Sequence, residues 1–435
     1  MLFYSTKNRS HKVSLEEAVR RGMPPDKGLY MPEMLPRLSQ AFFNDLPRLS
    51  LRDIAVQVAS VFLRDVLTEQ AIKEVVEDSI TFETPLVRLE KGLHVLELFH
   101  GPTLAFKDVG ARFMARLMAR LHPRGEMLHI LVATSGDTGS AVAHGFYNVP
   151  GVRVILLYPA GRVSPLQEKQ MTTLGGNIIA LEVDGVFDDC QRLVKSAFAD
   201  ESLNARMALS SANSINIARL LPQSFYYFYA VGQMMRIGET PPVIAVPSGN
   251  FGNLTAGLLA QRMGLPVRRF IAAVNANAVF PAFLRDGVFR PAPSVATLSN
   301  AMDVGNPSNL GRIIDLFGSD METLRRHIYS ASFSDALTRE AIGEIYRRYG
   351  YVADPHGAVG WLGVRHYRRT SGDEHPALFL ETAHPAKFAP TVEKEIGQNV
   401  HLPERLQACL ERSVKSRPIS AEYDDFKHFL LHIPA

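Results

Sequence analysis

From residue 95 onward, short runs of consecutive apolar residues alternate with stretches in which apolar residues return every three or four positions. The runs at 95–99, 130–133, 152–158, 177–183, 243–246, 270–274 and 377–380 predict buried strands. The intervening segments predict helices at 109–121, 141–147, 186–199, 217–235, 254–264 and 335–349, with another ending at Leu174. Strands and helices in alternation are the pattern of α/β units on mainly parallel sheets, with ligands gathering at the carboxyl ends of the strands. The first 85 residues read differently. They are punctuated by prolines, and their apolar spacing predicts helices at 51–66 and 69–77, with Ser14 ahead of Glu16 and Glu17 as a helix start.

A chain of 435 residues is long enough for two or three domains. A net charge of +3 lacks the basic excess of a nucleic-acid binder, and the stripe Arg112, Arg116, Arg120, Arg124 reads as the solvated face of one helix. Cys190 and Cys409 are the only cysteines and lie in no metal-binding cluster, which points to a reducing, cytoplasmic setting. The chain shows no apolar run long enough to span a membrane and no apolar leader at its start.

The candidate chemistry centres on HGPTLAFKDVGAR, residues 100–112. Lys107 sits there on a short connection between a predicted strand and a helix, behind Leu104, Ala105 and Phe106. An amine held among apolar groups has its pKa lowered, which makes it a nucleophile towards carbonyls and a usable base. Two further loops share one shape: SGDTGS at 135–140 and SGNFGN at 248–253, each following an apolar strand and opening a helix. Glycines let the backbone approach a bound group, and the N–H groups of a helix start favour an anion. Asp137 within the first loop opposes a dianion, so a phosphate is expected on the second loop and a less charged group, such as a substrate carboxylate, on the first. Spacing alone also fits two helix caps with glycine turns. Nucleotide-binding glycine signatures, the GxSxG elbow and the HExxH pair are all absent, and His100, His356 and His384 show no ligand spacing. A lysine at such a junction together with a phosphate-friendly loop suggests pyridoxal phosphate.

The segments HGPTLAFKD, ATSGDTGSA, NSIN, VPSGNFGN and ETAHPAKF, with FYSTKN and GLYMPE near the start, closely resemble the threonine synthase family, in the tryptophan-synthase-β-like (fold type II) group of pyridoxal-phosphate enzymes. The resemblance runs through essentially the whole chain in the same order. It implies two α/β domains with mainly parallel sheets around a cofactor cleft, plus a mostly helical N-terminal domain. The expected division is 1–86 for the N-terminal domain, 87–108 with 238–435 for the large cofactor-binding domain, and 109–237 for the small one.

The same resemblance implies that Lys107 carries the cofactor as a Schiff base and that Gly249, Asn250, Phe251, Gly252 and Asn253 cradle its phosphate. Thr382 would face the pyridine nitrogen, and Ser135, Gly136, Asp137, Thr138 and Gly139 would meet the substrate carboxylate. Arg162, Ser164, Lys169, Asn216 and Arg219 are the candidates for the substrate phosphate. The implied reaction is O-phospho-L-homoserine and water to L-threonine and phosphate, by a monomer or homodimer acting on a small molecule, with no metal, nucleic acid or membrane involved. The alternative is a fold type II relative such as a serine or threonine dehydratase. Asp108 has no assignable role.

Overall fold

The computed structural model describes residues 1–433 apart from 124, 135 and 319. Its larger sheet has six strands in the order Ile328–Ser332, Arg269–Val274, Val243–Pro247, Ala377–Glu381, Leu93–Glu97, Leu86–Glu90. All neighbours run parallel except the last pair, which form a hairpin. Val243–Pro247 and Ala377–Glu381 are buried at every position, because helices cover both faces of the sheet and every side chain needs an apolar neighbour. The second sheet is wholly parallel, in the order Ser416–Ser420, Ile178–Asp184, Val152–Pro159, Leu128–Ala133, Ala208–Ser210.

Each predicted strand is present with its ends moved by at most two residues. In these two sheets the four strands with no counterpart in the apolar pattern are Leu86–Glu90, Ala208–Ser210, Ile328–Ser332 and Ser416–Ser420, and all four are edge strands. An edge strand is covered less completely, so its residues carry a weaker apolar signal; Ser416–Ser420 has no buried residue. That last strand also corrects the expected course of the chain. Its pairing with Ile178–Asp184 returns residues 416–420 to the smaller sheet instead of leaving them with the large domain.

The N-terminal region holds the three helices its spacing suggested and a fourth, Gln40–Asp45, that it did not, together with a three-stranded antiparallel sheet of Asn8–Ser14, Leu2–Ser5 and Tyr30–Pro32. FYSTKN is the first strand running into its turn, and GLYMPE contains the third strand. Asn8–Ser14 buries only Val13, too little for alternation to reveal it. The long helix expected at 217–235 is interrupted. Pro222, which has no N–H to donate, sits in a 3-10 turn, Leu221–Ser224, between Ile217–Leu220 and Phe225–Arg236.

Within the arginine stripe on the helix Lys107–Leu121, Arg120 is exposed as expected of a solvated face, but Arg112 and Arg116 are half-buried and bonded. Arg112 donates to the carbonyls of Ser79 (2.8 Å) and Asp78 (2.8 Å), where the helix Glu69–Ser79 ends. Arg116 bonds the Gly145 carbonyl, and Arg120 pairs with Glu74 at 2.6 Å. Arg124 lies outside the described residues. Arg112, bonded to the carboxyl end of the helix Glu69–Ser79, and Arg120, paired with its Glu74, strap the Lys107 helix to the N-terminal region, while Arg116 ties it to the helix Asp137–Phe146.

Candidate active site

Lys107 opens the helix Lys107–Leu121, and the turn before it is stitched to the segment after the strand Ala377–Glu381. Phe106 N–H donates to the Thr382 carbonyl (2.9 Å) and His384 N–H to that of Leu104 (3.0 Å), with Ala105 and Ala383 paired between them. Two segments some 280 positions apart in the chain thereby become one structural unit. Burial pulls the Lys107 amine down to about 8; the Arg219 and Lys387 charges add to that, while Asp137 opposes it. At pH 7 about a tenth of this amine is then free base, far more than for an exposed lysine.

Asp108, unassigned from sequence, closes the same turn. Its carboxylate accepts the N–H and the hydroxyl of Thr103, both at 2.8 Å, and burial pushes it up to about 6 against those bonds. A carboxyl whose pKa rises on folding favours its protonated form, so its contribution to stability falls as pH rises from about 4 to 6 and is flat above. Asp108→Asn removes that dependence. The difference in unfolding free energy between wild type and variant should therefore change by about 3 kcal/mol between pH 4 and 7, measured by urea titration; a pH-independent difference would refute the assignment.

The first glycine loop departs from the electrostatic expectation. Asp137, at the start of the helix Asp137–Phe146, is buried against Lys387 Nζ at 2.5 Å and accepts from Gln167 Nε2 at 3.1 Å. Burial alone would raise its pKa, but Lys387 and Lys107 together hold it well below the usual carboxylate range. Its charge is therefore balanced within the protein, and repulsion by Asp137 does not distinguish the loops. What does is the state of the amides. In the first loop Thr134 Oγ1 accepts from Gly136 N (3.2 Å) and Gly139 N (2.9 Å). Thr138 is half-buried, and Ser135 lies outside the described residues.

In the second loop the N–H groups of residues 250–254 find no acceptor among the described residues, and the helix Gly252–Arg262 has no side-chain cap. Phe251 holds φ at +58°, which turns the chain into that helix. Gly249 lies against the backbone of Met302, where a Cβ would come within 2.6 Å of its Cα. Asn253 Oδ1 accepts from Tyr226 (2.7 Å) and Tyr227 (2.6 Å), while its buried Nδ2 has no partner. Asn250 is held by Ser214 Oγ (2.5 Å) and Ser308 N (2.6 Å). A run of unbonded donors at a helix start, with an orphaned buried amide beside it, is an anion site.

The candidates for a second anion separate sharply. Arg162 is exposed and has no side-chain partner among the described residues. Ser164 caps the helix Pro165–Thr172 and bonds Gln167, and Lys169 Nζ donates to the Arg412 carbonyl at 2.5 Å. Asn216 is fully committed: it donates to the carbonyls of Val19 and Ser211 and caps Ala218 N. Its role is to fix the turn. Arg219 is different. It is buried, donates from Nη1 to the Ala212 carbonyl (2.7 Å), and leaves Nε without a partner. Gly110, which follows Lys107 by three residues, lets the Lys107 helix approach so closely that a Cβ there would sit 2.8 Å from the Arg219 carbonyl.

Thr382 is buried, and its hydroxyl makes no hydrogen bond among the described residues. Behind it, Asp354 accepts from Ala383 N (2.9 Å), Gly357 N (3.3 Å) and both nitrogens that His356 directs at it, backbone N–H and Nδ1. His356 Nε2 in turn accepts from Ala301 N at 3.3 Å, which assigns the proton to Nδ1. Burial and the Asp354 charge push the neighbouring Glu381 carboxyl well up. Sequence reasoning passed over Lys387, Gln167 and Asp354. Lys387 stood in a quoted motif, but nothing local tied it to a carboxylate 250 positions away.

Residues 79–382 match the family described as pyridoxal-phosphate dependent enzyme, residues 2–80 the threonine synthase N terminus, and residues 357–430 the threonine synthase C-terminal region. The threonine synthase of Serratia marcescens is 44% identical over the full length of both chains. The chain belongs to the threonine synthase family. Among solved structures, that of Escherichia coli threonine synthase superposes with a TM-score of 0.90 at 42% identity over all of both chains. Pyridoxal-phosphate-bound threonine synthase from Brucella melitensis gives 0.92 at 33% over 99% of each.

Pyridoxal phosphate is the cofactor of this family, and the residues present fit it. The unbonded amides of residues 250–254 and Asn253 Nδ2 suit its phosphate, the Lys107 amine its aldehyde, and the neutral Thr382 hydroxyl its ring nitrogen.

Proposed function

We propose that this chain converts O-phospho-L-homoserine and water to L-threonine and phosphate. The observation that carries the reading is Arg219: a buried guanidinium with a free donor beside the Lys107 helix, separate from the helix start that suits the cofactor phosphate. A dehydratase acting on free serine or threonine has no phosphate to place there. The match of residues 2–80 to the threonine synthase N terminus supports the same choice.

When bound, the cofactor supplies an electron sink for charge developing on the substrate carbons. A neutral Thr382 hydroxyl, unlike an acid, leaves that sink mild. The Lys107 amine, with its pKa near 8, removes the proton from the substrate α carbon, takes one from the β carbon, and returns protons to the γ carbon, which becomes a methyl group once phosphate has left, and to the α carbon. The amides of Asp137 and Thr138 take the substrate carboxylate. That is feasible because Lys387 cancels the Asp137 charge that would otherwise repel it. Arg219 holds the substrate phosphate, aligns the γ carbon–oxygen bond that breaks, and retains the leaving dianion while water adds at the β carbon.

The domain division proposed is 1–86, then 87–108 with 238–415, then 109–237 joined by residues 416–433, with the cleft between the last two. We further place the protein in the cytoplasm, a reading its two buried free thiols support. Among the described residues no helix is long and apolar enough to cross a membrane.

The test is phosphate release from O-phosphohomoserine by the holoenzyme, with keto acid formation from free threonine run alongside. Phosphate release at a rate well above any keto acid formation is expected; the reverse order would replace this reading by a dehydratase. Within that assay, Arg219→Met should raise KM at least tenfold, about the 1.5–3 kcal/mol of a charge-assisted bond. An unchanged KM would remove Arg219 from the substrate site.

A further inference from the structure

The structure holds a second buried arginine that has no carboxylate partner. Arg312, on the helix Leu310–Phe317, is fully buried, and all its bonds among the described residues go to neutral oxygens. Nε and Nη2 donate to the Tyr30 carbonyl (3.2 and 3.0 Å), Nη2 also to the Ile215 carbonyl (2.6 Å), and Nη1 to Asn309 Oδ1 (2.7 Å). The three acceptors come from three separate parts of the chain: the third strand of the N-terminal sheet, the NSIN turn before Arg219, and the residue that supports the second glycine loop.

That support is direct. Asn309 Nδ2 donates to the Asn250 carbonyl at 3.1 Å, and the Asn250 side chain binds Ser308 N and Ser214 Oγ. An oriented Asn250 carbonyl fixes the peptide plane whose next members are the unbonded N–H groups. The planar guanidinium suits this task, since its donors diverge at fixed angles and reach three carbonyl-type oxygens at once. Burying such a cation without a counter-ion costs several kcal/mol. An anion delivered to the adjoining loop offsets that cost.

We propose that Arg312 is a positioning residue for the cofactor phosphate: it ties the N-terminal sheet to the Gly249–Asn253 loop through Asn309, and its charge is balanced when the phosphate arrives. The N-terminal region is on this account part of the cofactor site through the Tyr30 carbonyl that holds Arg312. The inference rests on the assignment of the cofactor phosphate to this loop.

Two readouts separate positioning from simple stabilisation. One is the dissociation constant of pyridoxal phosphate, measured on the full chain by absorbance during equilibrium dialysis. The other is the rise in melting temperature that inorganic phosphate gives the cofactor-free full chain. Arg312→Met should weaken cofactor binding by tenfold or more and abolish the rise with phosphate. Arg312→Lys, which keeps the charge but not the fork, should recover part of each. A residue that only stabilises the fold would lower melting equally with and without phosphate and leave the dissociation constant unchanged, and that result would overturn the proposal. If Arg312→Met fails to fold, Asn309→Ala makes the same test, since it cuts the link to Asn250 while the bonds to Tyr30 and Ile215 remain. Gly249→Ala serves as the control. Should it leave cofactor affinity untouched as well, the loop assignment is at fault; should it alone weaken binding, the Arg312 proposal is.

Discussion

Lys107→Ala should lose turnover by roughly 10²–10⁴-fold, the range for removing a positioned acid–base group. The geometry concentrates that role on one amine. The turn that carries it is stitched to Thr382–His384 by two backbone bonds and closed by Asp108 on Thr103. The other amine near it, Lys387, is committed to Asp137 and the Thr103 carbonyl. Added primary amines should restore part of the activity, more effectively as pH rises and their free-base fraction grows. With the native lysine, the rate of Lys107 modification in the cofactor-free chain should rise through a midpoint near pH 8, well below that of an exposed lysine. Phosphate release by Lys107→Ala within tenfold of wild type would remove the lysine from the reaction.

Lys387→Met should destabilise the protein by about 3–5 kcal/mol, the usual cost of stranding one member of a buried ion pair. Asp137 would keep Gln167 but lose the ammonium at 2.5 Å that balances it. The pH dependence follows from the sign of each shift. In the wild type the Asp137 pKa is depressed on folding, so its contribution to stability is present above about pH 4 and is lost on acidification below that. In the variant burial dominates and the folded pKa moves upward, so stability is instead lost as pH rises above about 4. The difference between the two proteins is therefore smallest in acid and full at neutral pH. Thermal or urea unfolding between pH 3.5 and 7.5 measures it. Asp137→Asn combined with Lys387→Met should recover most of the loss, because no unpaired charge remains, yet KM for the substrate should stay raised where the loop is no longer anchored to the segment after Thr382. Effects of Lys387→Met and Asp137→Asn that simply add in the double variant would mean that the pair is not coupled.

The balance between these two groups also explains where sequence reasoning about the loops needed correction. A carboxylate within SGDTGS looked hostile to a dianion, because a sequence displays charges without their partners. The partner lies in ETAHPAKF and reaches Asp137 only when the two sheets meet. The assignment of a phosphate to SGNFGN now rests instead on its unbonded N–H groups, while Thr134 occupies two of those in the first loop.

By itself, the sequence determined the units and the junctions that carry the candidate site. Runs of apolar residues predicted the central strands, since a strand covered on both faces needs an apolar residue at every position. Lys107 at a strand–helix junction and the glycine loops at helix starts were legible because turn chemistry and helix ends are local. Tertiary structure alone decided the rest. Edge strands, the Pro222 break and the N-terminal sheet carry too little burial or too short a period to show in the pattern. The pairing of Asp137 with Lys387, the clasp of Asp108 on Thr103, and the reach of Arg312 to Tyr30, Ile215 and Asn309 depend on which surfaces pack together. Whether a charge is balanced, a carbonyl held or a donor left free for a ligand is a property of those long-range contacts, and no local spacing encodes it.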